Sequence, residues 1–174
     1  MLIQIQTKEK SHDTGNAIDA LLECHERIRY FMRLAQRIAA GGSPDAEISD
    51  AAGKVHRYFS EALPLHSADE DLSLMPRLNT HTAQLSDELS QMEQQHVQIE
   101  SLLEDLRPLW LEISHDATSH NKHRAALVAL TMHLQSLWDV HLEMEERLIF
   151  PAANRFLSAA DHESIRSEMQ KRRN

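Results

Sequence analysis

His66/Glu70, His96/Glu100 and His141/Glu145 repeat one pattern, His-x-x-x-Glu, in three separate segments whose apolar residues recur at helical spacing. Residues four apart on a helix share a face, one turn above each other. Turned inward, each such pair brings imidazole and carboxylate into a helical core, where an unpaired carboxylate costs several kcal/mol. A divalent cation supplies the missing charge. With 12 His and 16 Glu in 174 residues, about one such spacing is expected by chance, and three occur on three predicted helices.

The rest of the chain agrees with a helical framework. It has only four Gly and five Pro, and no run of alternating β-branched residues long enough for a sheet. A first helix is predicted from about Asn16 to Ala40, with Ile18, Leu21, Leu22, His25, Ile28, Met32, Leu34 and Ala35 on its stripe and Gly41-Gly42 ending it. Ser43 is the expected cap of a second helix running toward Leu78, in which Pro64 should kink or break the rod just before His66. Thr82 or Ser86 starts a third, carrying Leu89, Met92, His96, Ile99, Leu103 and Leu106, with a bend expected at Pro108 and an end near Ser114. After a polar stretch at 115–121, a fourth carries Leu127, Leu130, Leu134, Trp138, His141, Glu145 and Leu148 and should stop at Phe150-Pro151.

Ser158 then caps a short charged helix. The expected organisation is an N-terminal arm at 1–15, an all-α, up-and-down four-helix bundle at 16–157, and a C-terminal helix and tail at 158–174.

Composition narrows the function. A net charge of −9 disfavours nucleic acid as a partner, since phosphate needs a basic stripe. No segment approaches a membrane-spanning length, and the N-terminal residues lack the apolar core of a secretory signal. The single cysteine, Cys24, forms no internal disulfide, so a cytoplasmic protein is expected, with Cys24 a buried thiol. Imidazole and carboxylate donors without thiolate suit iron, manganese or zinc. Of the acidic clusters Asp69-Glu70-Asp71 and Glu143-Glu145-Glu146, only Glu70 and Glu145 are expected to turn inward. His12, His56, His81, His115, His120, His123, His133 and His162 are expected at the surface or at caps, and Trp110, Trp138, Phe31 and Phe59 in the core.

The segment His141-Leu142-Glu143-Met144-Glu145-Glu146-Arg147-Leu148-Ile149-Phe150-Pro151 resembles the closing motif of the haemerythrin-like (HHE) cation-binding family. His66 through Leu72, followed by Met75-Pro76, is similar to that family's second-helix motif, His25-Glu26 to its first-helix ligand, and Glu93 through His96 to its third. The resemblance spans roughly Asn16 to Leu157. It implies a dinuclear non-haem centre of two iron ions, His25 and His66 holding one, His96 and His141 the other, with Glu70 and Glu145 bridging.

Two departures matter. Oxygen-carrying haemerythrins place a second histidine four residues after the third-helix ligand, where this chain has Glu100, either a ligand or turned away. The last carboxylate follows its histidine by four residues rather than five, which makes Glu146 the alternative to Glu145. The resemblance therefore implies binding of O2, NO or iron itself, in sensing, storage or stress defence, more than simple oxygen carriage. An output would pass through a homodimer or a separate signalling partner. Two rivals stand beside it: a di-iron redox enzyme or iron-centre repair protein, and a metal-free helical adaptor. The Glu-x-x-His strings of ferritin-like oxidases, Glu93/His96 and Glu112/His115, fall on one helix here, against the enzyme rival.

Overall fold

The computed structural model describes residues 16–174, so the expected arm at 1–15 lies outside the described residues. Four rods form an up-and-down bundle, all-α among the described residues. The first is α1 (Ala17–Ala40). The second, residues 45–81, joins α2 (Asp45–Arg57), α3 (Leu63–Asp69) and α4 (Met75–His81) through wide π-turns at Tyr58–Ala62 and Glu70–Leu74. The third is α5 (Ser86–His115). The fourth, residues 119–156, joins α6 (Ser119–Met144) to α7 (Phe150–Phe156) through a π-turn at Glu145–Ile149, and α8 (Ala159–Arg172) comes after it. Each rod packs on its two chain neighbours, and α1 closes the ring against α6.

Helix starts are written in short polar side chains. Asn16 and Asp19 form a reciprocal capping box at α1, as do Ser158 and Asp161 at α8. Ser43 does not cap α2: Pro44 holds the cap position, no side chain bonds there, and the Pro44 carbonyl receives the Glu47 and Ile48 amides. Thr82 caps the short turn Ala83–Leu85 ahead of α5 by accepting the Gln84 amide. At the far end of α1, Gly41 takes a φ of +72°, and a Cβ there would lie 2.8 Å from the His120 ring. The reason for the close approach is a cap in trans: His120 Nε2–H donates to the Ile38 carbonyl at 2.7 Å. His120 is therefore buried rather than superficial, and His162, in the first turn of α8, is buried too.

The prolines behave differently from expectation, for one physical reason. A proline ring clashes with the carbonyl four residues back and offers that carbonyl no proton. Pro64, Pro76 and Pro151 each come two residues after a π-turn, and the residue before each donates its amide to a carbonyl five residues back: Leu63 to Tyr58, Met75 to Glu70, Phe150 to Glu145. One extra residue in the turn accommodates the ring, and the rod continues. The fourth rod thus runs past Phe150-Pro151 to Phe156 instead of stopping; Pro108, where the sequence predicts a bend, sits inside an unbroken α5 with no wide turn before it. The added residue also rotates the next stretch of the rod. Leu148, inward by simple helical phase, is exposed, and Ile149 and Phe150 are buried in its place. Leu22 likewise faces outward at the edge of the α1 stripe.

The interior is two apolar clusters stacked along the bundle. One gathers Ile28, Met32, Phe59, Leu103, Trp110, Leu134 and Trp138; the other Ile18, Leu21, Leu78, Met92, Ile149, Phe150 and Ile165. On every rod the change from one cluster to the other falls at a polar residue: His25, His66 with Glu70, His96, and His141 with Glu145. The bundle thus has a polar layer across its middle.

The last helix is fastened to the second rod by charge as well as by Ile165 and Met169. Asp69, expected at a solvated face, is fully buried and accepts Arg172 Nη1 at 2.8 Å and Arg173 Nη2 at 2.6 Å. Ser73 receives Arg172 Nη2 and donates to Glu168, which Arg77 also holds. Removing both arginines strands a buried carboxylate, whereas removing Asp69 lets two partly exposed guanidiniums return to water. Chemical denaturation should therefore show Arg172→Ala/Arg173→Ala losing about 3 kcal/mol or more, and Asp69→Ala losing less; the reverse order would contradict this account of α8.

Candidate metal centre

The polar layer brings six side chains from all four rods to one point. His25, His66, His141, Glu70 and Glu145 are fully buried or nearly so, and His96 is slightly exposed. They form two overlapping sets, His25, His66, Glu70 and Glu145, and Glu70, His96, His141 and Glu145, each with its donor atoms within 4.8 Å of one another. The two carboxylates belong to both sets.

Each carboxylate divides its oxygens between the sets. Glu70 Oε1 lies 3.3 Å from His66 Nε2 and 3.8 Å from His25 Nε2, while its Oε2 lies 3.4 Å from His96 Nε2. Glu145 Oε2 lies 3.1 Å from His25 Nε2, and its Oε1 3.2 Å from His141 Nε2. His96 and His141 bring their Nε2 atoms to 3.2 Å, within hydrogen-bond distance of each other. All four carboxylate oxygens, His25 Nε2 and both His66 nitrogens are buried without an aligned hydrogen-bond partner among the described residues. Native cores rarely leave so many polar atoms orphaned. A pair of cations at this layer would fit the carboxylate oxygens, His25 Nε2 and one nitrogen of His66, with the second His66 nitrogen left without a partner.

Around the layer a second ring of polar groups holds the imidazoles from behind. His25 Nδ1 lies 2.8 Å from Glu146, which also receives Arg29 at 2.8 Å. His96 Nδ1 lies 2.8 Å from Asp71, and His141 Nδ1 lies 2.9 Å from the Gln95 oxygen. Phe150 packs near the His25 ring and Trp138 against His141, keeping the walls apolar. Outside His96 lies a cleft of about 550 Å³ between α3 and α5, walled by Leu63, Pro64, Leu72, Val97 and Ile99.

Two residues read from the sequence as ligand candidates sit elsewhere. Glu100 turns to the surface and binds Arg107 through both oxygens, at 2.5 and 2.9 Å. Glu146 faces His25 from behind rather than joining either donor set. Sequence reasoning did not single out Asp71, Gln95 or Arg29. A signal for the first was present: the residue after each shared glutamate is acidic, Asp71 after Glu70 and Glu146 after Glu145, and each reaches a histidine on another rod.

Protons balance the layer when no cation does. Burial alone would lower His25, but the Glu145 and Glu70 carboxylates facing its Nε2 outweigh it and raise the ring to about 10. His96 is raised to about 10 in the same way, by Asp71 and Glu70 against burial. His66 and His141 fall to about 4 and about 3, driven by burial. Glu145 is pushed up to about 7 by burial and the neighbouring Glu70 charge, and Glu70 is held well below its ordinary value by the surrounding histidines. A metal-free bundle therefore has a counter-charge after all, in protonated His25 and His96.

A four-rod bundle with a buried, shared-carboxylate donor layer defines a class of cation-binding helical proteins. Residues 16–153 match the Hemerythrin HHE cation binding domain, and the chain belongs to that family. It is also 27% identical over 120 residues to an uncharacterised protein of Haemophilus influenzae, covering 60% of this chain and 69% of the relative. Helix α8 lies beyond the matched region. Among the described residues, no helix is long and apolar enough to cross a membrane.

The shifts set a pH dependence. His25 and His96 hold protons more tightly folded than unfolded, so their support of the metal-free chain is full below about 6.5 and is lost as pH rises toward about 10. Thermal melting of chelator-treated protein should decline steadily from pH 7 to pH 10. Metal uptake at pH 7 should release about two protons per chain, detectable with a pH indicator; uptake without proton release would contradict the charge state described.

Proposed function

We propose that this chain holds a dinuclear non-haem iron centre and uses it to bind a small ligand, O2 or NO, in sensing or stress defence. The observation that supports this most is the sharing of Glu70 and Glu145 between two four-residue donor sets at full burial. In the proposal, His25 and His66 would hold one iron and His96 and His141 the other, with Glu70 and Glu145 available to both. Manganese or zinc would satisfy the same donors; iron is preferred because the family resemblance carries it and the mixed imidazole and carboxylate set suits it.

The bound metal pair would supply Lewis-acidic, redox-active sites with coordination positions not filled by the four residues of each set. The chain's own contribution is threefold. Glu70 and Glu145 offset the cations' charge in a layer shut off from water, where electrostatic attraction is strong. Asp71, Gln95 and Glu146 fix three of the four rings that face the centre, those of His96, His141 and His25. The apolar walls exclude bulk water, and the cleft lined in part by His96 would give a small neutral molecule an approach to the layer. Exposed Glu100, salt-bridged to Arg107 where an oxygen carrier has a fifth histidine, leaves the His96 side of the centre more open.

Elemental analysis of protein purified without an affinity tag should find about two irons per chain. His141→Ala should remove most of that metal. His123→Ala should retain it, because His123 pairs with Glu112 and sits about 27 Å from His141 along the same helix. Equal metal content in the two variants would sink the assignment, and a wild-type chain that stays empty after anaerobic iron loading would leave the adaptor reading in possession.

A further inference from the structure

The four histidines of the layer are not held alike. A ligating imidazole must present a lone pair at Nε2, so its proton must sit on Nδ1, and an acceptor behind Nδ1 enforces that state. His96 has Asp71 Oδ1 at 2.8 Å and His141 has Gln95 Oε1 at 2.9 Å, so both rings of that pair are held in orientation in advance, each with an acceptor behind Nδ1. In the other pair, His25 has Glu146 at 2.8 Å, and the same oxygen is shared with Arg29. His66 has nothing: its Nδ1 is buried without a hydrogen-bond partner among the described residues.

We infer that Asp71, Gln95 and Glu146 are positioning residues that make the two cation positions unequal, with the His96/His141 position filling first and more tightly. The inference rests on the dinuclear reading above and goes beyond it in assigning an order. Its physical basis is preorganisation. At the His96/His141 position both rings already converge, their Nε2 atoms 3.2 Å apart. At the His25/His66 position, binding must fix the tautomer of a ring that no neighbour holds, and it buries an N–H with no acceptor. That position is also the more enclosed, with His25 and His66 both sealed in the core while His96 borders the outer cleft. A cation therefore reaches the better-prepared position first.

The pairing of each positioning residue with one position gives the idea a sharp test. Metal-free, full-length protein is titrated with Co(II), monitored by calorimetry and by visible absorption, which reports the donor set of each bound ion. The wild type should show two resolved steps. Asp71→Ala should weaken the tighter step by about tenfold to one hundredfold and leave the weaker step within about threefold. Glu146→Ala should do the opposite. Gln95→Leu, which keeps the side chain's bulk, should act on the same step as Asp71→Ala. Asp71→Asn retains an acceptor oxygen and should lose less than Asp71→Ala; equal losses would mean that Asp71 acts by charge and not by holding the ring. Two equal steps in the wild type, or Asp71→Ala and Glu146→Ala weakening the same step, would overturn the inference while leaving a dinuclear site intact. A wild-type chain that binds no Co(II), or one ion only, would overturn the dinuclear reading itself.

Discussion

Glu70 and Glu145 carry carboxylates into a layer that water does not reach, and the rest of the bundle is arranged around that fact. An apolar core cannot hold two such groups unless positive charge comes with them. Four histidines from four rods surround them, and the cationic charge comes either from protons on His25 and His96 or from bound metal. The alternatives compete for the same lone pairs, so cation affinity, proton release and the stability of the empty bundle are aspects of one equilibrium. The metal-free adaptor reading gains a physical basis from the protonated state, since the carboxylates are not left without a partner. It gains no account of two four-residue sets that share both carboxylates.

The wide turns are the second organising device. Glu70 and Glu145 each open a π-turn that ends just before a residue preceding proline. The extra residue relieves the clash of the proline two residues beyond; it also changes the phase of the rod, and the change of phase buries Ile149 and Phe150 and turns Leu148 out. The histidine–glutamate spacing ahead of each turn keeps the ordinary four-residue register, so the ligands share a face while the chain beyond them is free to pack differently. Wide turns of this kind gather at functional sites in helices generally.

Much of this was legible in the sequence. Four helices, their order and the six inward donors come from apolar periodicity, capping residues, the His-x-x-x-Glu spacing and the family resemblance. The features that escaped it share a cause: each depends on the groups lying across from a residue and not along its own helix. Asp69 reads as one more acid in a solvated run, and only the return of α8 brings Arg172 and Arg173 to it. His120 reads as a loop histidine until the α1 terminus is seen beside it. Pro151 reads as a stop because periodicity alone does not show that one added residue can relieve its clash. Glu100 has the spacing of its two counterparts, yet Arg107, seven residues on, turns its carboxylate outward.

The two apolar clusters lie on opposite sides of the donor layer, and each draws residues from all four rods. The bundle is in this sense two short stacks joined end to end through six polar side chains. Covalent continuity links them along each rod, and at the joint the side-chain contacts include those of the six polar residues and of Asp71, Gln95, Glu146 and Arg29 behind them. Cooperativity of unfolding therefore has a seam at mid-height, and whatever occupies the layer decides whether the stacks open together or one at a time.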